Sequence, residues 1–124
     1  IRSVIEEIAS SGDAVIVSHA ASHALATRAD TLRILITAGP DTRVARVRTA
    51  RKLSEKEAEK RIARGDANRA DYIKRFYGVS PELPTHYDIV LNSDRLSVDQ
   101  AVEIIVRAAS SDAASAPISE ASTP

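Results

Sequence analysis

Arg61-Ile-Ala-Arg-Gly-Asp-Ala-Asn-Arg-Ala-Asp-Tyr-Ile-Lys-Arg-Phe-Tyr-Gly78, followed by Tyr87-Asp-Ile-Val-Leu-Asn-Ser-Asp-Arg-Leu-Ser97, is the stretch from which the rest of the chain can be read. A period of about 3.6 residues places Ile62, Asp66, Arg69, Ile73 and Phe76 on one helix face, polar in its middle and apolar toward its end. Upstream, Ser54-Glu-Lys-Glu57 is a capping box. The helix is therefore expected to start there and to run to about Tyr77, with Gly65 as its weak point. Gly78-Val-Ser-Pro-Glu-Leu-Pro84 has turn chemistry. Tyr87-Asp-Ile-Val-Leu-Asn92 then forms a short buried strand, and Ser97 caps a last helix with Ala101, Val102, Ile105 and Val106 inward.

Working upstream, Leu32-Arg-Ile-Leu-Ile-Thr37 is a second strand, ended by Gly39-Pro40-Asp41. Asp41 or Thr42 caps the helix that follows, with Val44 and Val47 inward and Arg43, Arg46 and Arg48 outward. Ala14-Val-Ile-Val17 is a continuous apolar run, the mark of a strand buried on both faces. Ala20–Arg28 is a short helix, and Ile1–Ser10 another, stopped by Ser11-Gly12-Asp13. Short apolar strands alternating with helices predict an α/β fold, a doubly wound parallel sheet. Such sheets bind ligands at the carboxyl ends of their strands. Those places are Ser18-His19, Ala38-Gly39 and Asn92-Ser93-Asp94.

Residues 1–107 form one domain, and the Ala/Ser/Pro tail over residues 108–124 has no periodicity and is expected to be disordered. There are no internal repeats. With 124 residues the chain is one domain at most, and with aromatics at 3% its core has to be built from Val, Ile, Leu and Ala. The absence of cysteine excludes a disulfide scaffold and a cysteine zinc site, and fits a reducing, cytoplasmic setting. No apolar run is long enough to span a bilayer. Helical spacing from Ile1 onward, without an initiator Met, reads as a cut inside a longer protein.

The net charge of zero hides an asymmetry: Arg43 to Arg75 holds 12 Lys/Arg against 5 Asp/Glu, while both flanks are acidic. A central basic block between acidic ends points to a local anion site rather than a general nucleic-acid surface. Within it, Asp66 and Arg69 are one helical turn apart. They are either an ordinary surface pair or ligand residues, the carboxylate accepting from sugar hydroxyls and the guanidinium holding a phosphate. Sharing a face with Ile62, Ile73 and Phe76 favours the second. Arg48, Arg51 and Lys52, at a helix junction, are either a solvated linker or a mobile lid that closes cations over phosphates. His19 and His23 could share a helix face, but two histidines without a third ligand suit packing better than metal. Ser18 is not in a nucleophile elbow. Tyr72, Phe76, Tyr77 and Tyr87 suit core and hinge packing. No Gly-x-x-x-x-Gly-Lys-Ser/Thr loop occurs, so the usual cradle for ATP phosphates is missing.

From Gly12 to about Val106 the chain resembles the C-terminal part of the cytidylate kinase-like family, within the P-loop nucleoside monophosphate kinases. Asp66-Ala-Asn-Arg69 is similar to that family's Asp-x-x-Arg signature, and the resemblance extends over Ala70–Gly78 and Tyr87–Ser97. It implies that Asp66 holds the ribose hydroxyls of an acceptor nucleotide and Arg69 its phosphate, with Arg61 (or Arg64) as an approximate counterpart of a further arginine. It also implies that Arg48, Arg51 and Lys52 belong to a lid over about residues 48–64, and that Asn92, Ser93 and Asp94 lie near the ATP base. ATP and Mg²⁺ are the implied donor and metal, a nucleoside monophosphate the partner. The sequence departs from the family at Ser18-His19-Ala20, where the family has Gly-Arg-Asp. The family's P-loop and acceptor-binding segment correspond to nothing in this chain. By resemblance the P-loop strand would lie between Ala14–Val17 and Leu32–Thr37, so these would flank an empty slot. The chain is then a fragment, or closes its sheet differently, or has the gap filled by another chain or by self-association. The functional expectation is part of a phosphotransferase, inactive as this chain alone. The alternatives are a non-catalytic nucleotide-binding module, or a basic nucleic-acid-binding helix hairpin.

Overall fold

The structure, a computed structural model, describes residues 2–110. Its elements in chain order are α1 (Arg2–Ser10), α2 (Ala21–Ala24), β1 (Ile34–Thr37), α3 (Pro40–Arg51), α4 (Glu55–Tyr77), β2 (Ile89–Asn92) and α5 (Val98–Ala109). A single 3₁₀ turn, Pro84–His86, precedes β2. The expected helix ends are set by the side chains that suggested them. Ser54 Oγ accepts the Glu57 N–H at the start of α4, and Ser97 and Gln100 form a reciprocal box at the start of α5. Gly78, with φ of 67°, ends α4 in the left-handed region where glycine carries no penalty. Gly65 does not interrupt α4, which is continuous through it.

β1 and β2 pair in parallel, with Ile34 opposite Ile89 and Thr37 opposite Asn92. The long connection between them is the α3–α4 hairpin, as a parallel crossover requires. It turns at Lys52, a non-glycine residue in left-handed conformation with φ of 54°. Both ends of the strand pair are tied by side chains. At the amino end, Arg33 donates backbone N–H, Nε and Nη2 to Asp88 at 2.7, 3.2 and 3.1 Å. At the carboxyl end, Ser93 donates N–H and Oγ–H to the Thr37 carbonyl at 2.8 and 2.9 Å.

The α/β class and parallel pairing are as expected, but among the described residues the sheet has two strands. Ala14–Val17, expected to be a strand buried on both faces, forms no ladder. Val15 and Val17 are each 94% exposed, while Ile16 between them packs on the core of Ile5, Ala21, Ala24 and Leu25. An apolar run is a strand only if a neighbour satisfies its backbone. Among the described residues no strand pairs with this segment, and Ile16 packs it on the core.

Further departures follow from helix geometry. Ile73 is fully buried, yet Phe76, at the margin of the same face, is 60% exposed and stacks on Tyr72 at 4.7 Å between ring centres. In α5 only Ala101, Ile105 and Ala108 are half-buried, whereas Val102 and Val106 face outward. α5 runs on through Ala108 and Ala109, which were expected to open the disordered tail, because the i−4 ladder continues to Ser110. From Ser111 onward the tail lies outside the described residues. Among those described, no helix is long and apolar enough to cross a membrane.

Candidate functional site

The middle of α4 positions Asp66 and Arg69, and the fold gives them different partners. Asp66 accepts Arg43 Nη1 and Nη2 at 2.9 and 2.6 Å, bridging α3 and α4. The Arg43 guanidinium holds the Asp66 carboxyl below its usual range, with Arg69 a smaller contributor. Arg69 turns the other way, donating Nε and Nη2 to Glu82 at 3.0 and 2.9 Å and Nη2 to the Tyr87 hydroxyl at 3.2 Å. That hydroxyl in turn donates to Glu82 Oε1. His23, buried beneath them, sets Nε2 3.5 Å from both groups.

Arg69, ahead of Tyr87, holds the Glu82 carboxyl down at about 2 despite its partial burial. Burial and then the adjacent carboxylate push the Tyr87 hydroxyl up. Arg69 is the only guanidinium in this network, and it keeps Nη1 without a partner among the described residues. Its bidentate grip on Glu82 fixes the plane in which those two remaining N–H groups lie.

The first half of α4 differs. Lys60, Arg61, Arg64 and Asn68 border an open hollow of about 510 Å³, with Leu53 and Glu57 at its rim. Gly65 lies on its wall, and a Cβ there would meet nothing within 4 Å. Arg48 and Arg51 end α3 exposed, and Lys52 makes the turn into α4. These six cations lie along the α3–α4 hairpin, and Asp66, between Gly65 and Asn68 in sequence, is not among the residues that line the hollow.

At the carboxyl end of β2, Asn92, Ser93 and Asp94 form a tight turn in which Asn92 Oδ1 accepts the Asp94 N–H at 2.9 Å. Asp94 Oδ1 accepts the Gly39 N–H at 2.8 Å, supplying the cap that α3 lacks in its own sequence. A Cβ on Gly39 would lie 2.8 Å from Asp94 Oδ2, so a side chain there would push the carboxylate away from the Gly39 N–H. The Gly39 N–H, then Thr42, lowers the Asp94 carboxyl. Arg46 braces the same turn, donating Nη1 to Ser93 Oγ and Nη2 to the Ser93 carbonyl, both at 2.8 Å.

Arg43 and Arg46, expected to point outward, are thus cross-links. Sequence periodicity separates inward from outward, but it cannot see a long side chain bend along the surface to an acceptor. Ser18 and His19 are exposed and remote from this turn; Ser18 Oγ accepts the Ala21 N–H at 3.0 Å. His19 precedes α2, so it shares no helix face with His23. Glu82 lay in a Pro-containing loop with no periodicity, and nothing in the sequence linked it to Arg69.

The exposed cations at the hairpin tip suit phosphate oxygens. Among the described residues no glycine-rich backbone cradle of the kind that holds nucleotide phosphates leads into a helix.

A search of the curated proteins returns no match. Among solved structures, one of an uncharacterised protein from Eubacterium ventriosum superposes with a TM-score of 0.79 at 23% identity, over 87% of this chain. The chain spans 62% of that protein's length, and at this identity the likeness speaks for the fold alone. The cytidylate kinase-like family model matches residues 2–95, through Asp66, Arg69 and the Asn92–Asp94 turn. With three quarters of its length matched, the chain belongs to the cytidylate kinase-like family.

Proposed function

We propose that this chain forms the acceptor and lid portion of a phosphotransferase that moves a phosphoryl group from ATP to a nucleoside monophosphate. The observation that carries the reading is the coincidence, on one helix, of Asp66-Ala-Asn-Arg69, within the matched residues 2–95, with an open hollow bordered by Arg61 and Arg64. Phosphoryl transfer asks a protein to position reactants and neutralise charge rather than to react covalently. Arg, Lys and Asp without a nucleophile suit that task.

In this reading Arg61 and Arg64 take the acceptor's phosphate, and Asp66 exchanges Arg43 for the ribose hydroxyls. Arg69 reaches the phosphate with its free Nη1 edge while Glu82 keeps its plane fixed. Arg48, Arg51 and Lys52 follow the hairpin tip as it closes. The turn at Asn92–Asp94 borders the donor's base.

ADP release by the intact gene product, measured with CMP, dCMP, UMP and AMP as acceptors, tests the reading. It expects acceptor-dependent ADP release from that product and none from residues 1–124 alone, which contain no Gly-x-x-x-x-Gly-Lys-Ser/Thr loop. A folded intact product that is silent with every acceptor would refute it, as would turnover by this chain alone.

A further inference from the structure

At the amino ends of β1 and β2, away from the Asn92–Asp94 turn, lies a cavity of about 320 Å³ that the phosphotransfer reading leaves unused. We propose that it binds a small planar anion, a single aromatic ring bearing one carboxylate or phosphate.

The chemistry of the wall points to the anion. Arg2 and Arg33 both line it, and no Asp or Glu does. Their carboxylate partners use only part of each guanidinium: Arg2 gives Nε to Glu6, and Arg33 gives Nε and Nη2 to Asp88. A guanidinium has five N–H donors, so Nη1 of Arg33 and both terminal nitrogens of Arg2 remain to offer. His86 adds another. Its Nδ1 accepts the Leu83 N–H at 2.9 Å, which leaves the proton of the neutral ring on Nε2, as a donor. Thr85 supplies a hydroxyl to the same wall.

The ring is indicated by the aromatic lining. Phe76, the chain's one phenylalanine, borders the cavity and is 60% exposed. Tyr77 lies beside it with the Arg2 guanidinium 5.7 Å from its ring centre. His23 forms the deep wall, its ring 6.1 Å from that of Tyr77 and 5.8 Å from that of His86. A flat ligand can stack on these faces while its charge meets the arginines. The volume sits at the low end for ligand pockets and gives room for one ring with its charged group.

The test is an NMR titration of the chain with benzoate, phenyl phosphate, benzyl alcohol and inorganic phosphate, following the ring signals of His86, His23 and Phe76. The aryl anions are expected to bind about tenfold tighter than benzyl alcohol, which lacks the charge, and about tenfold tighter than inorganic phosphate, which lacks the ring. Phe76→Ala and Arg2→Gln, both at exposed positions, should each weaken the better aryl anion by about the same factor, and Arg107→Gln should not. No saturable shift at His86 or Phe76 with either aryl anion would overturn the proposal. So would inorganic phosphate matching phenyl phosphate there, or unchanged affinity in both variants. Phenyl phosphate shifting only Arg61 and Arg64 would also overturn it, while leaving the reading of α4 intact.

Discussion

The two halves of α4 carry similar side chains to opposite ends. From Asp66 onward, Asp66 is bound to Arg43, and Arg69 is bound to Glu82 and Tyr87 over His23. Before Gly65, Lys60, Arg61 and Arg64 face an open hollow. A half-buried guanidinium has to be paired because desolvation is costly, so it is committed to the fold. An exposed one gains little from pairing and stays available to a ligand. The second half of the helix holds the molecule together and has only Asp66 and the spare Nη1 edge of Arg69 to offer a ligand, whereas the first half is open to one.

The largest effect should separate the halves by stability. Glu82→Ala leaves Arg69 half-buried without its acceptor and should cost about 2–3 kcal/mol in urea unfolding, whereas Lys60→Ala or Arg64→Ala should stay within about 0.5 kcal/mol. Equal losses would erase the distinction.

Acid should act on the same half. Glu82 has an ordinary pKa of 4.5 and is held at about 2 in the fold. Its contribution is therefore complete above about pH 5 and is lost as pH falls through 4.5 toward 2. In urea melts across this window, Glu82→Gln should flatten the decline relative to the parent chain, by roughly 2 kcal/mol after allowance for partial exposure. An unchanged acid limb would mean that the carboxylate is not held by Arg69 in solution.

Affinity should sort the halves in reverse. Arg61→Ala or Arg64→Ala is expected to weaken CMP binding by about 1.5 kcal/mol in calorimetry, with Arg107→Ala unchanged. The smallest effect concerns Gly65. A methyl there meets nothing, so Gly65→Ala should stabilise α4 by about 0.5–1 kcal/mol. If the glycine serves close approach of a nucleotide, the same variant weakens CMP binding. A gain in stability with no loss of affinity would assign Gly65 no part in the hollow.

What could be read from the sequence follows the range of each signal. Ser54, Gly78 and Ser97 act within a turn of their own position, so the bounds of α4 and α5 were legible. The parallel pair was legible because Ile34–Thr37 and Ile89–Asn92 are short apolar runs joined through helices. The partners of Arg43, Arg46 and Arg69 lie 23, 47 and 13 residues away, and no local pattern connects them. Ala14–Val17 has strand composition but no ladder partner among the described residues, a property of the whole sheet and not of the segment.

The most direct test of the account is an amide NMR titration of the chain with CMP. Saturable shifts are predicted at Arg61, Arg64, Asp66 and Asn68, with the Tyr87 amide, bonded to the Pro84 carbonyl, still protected from exchange and residues 100–107 unmoved. Shifts confined to the Phe76 and His86 cavity, or none that saturate, would contradict the assignment of the open half of α4 to the nucleotide.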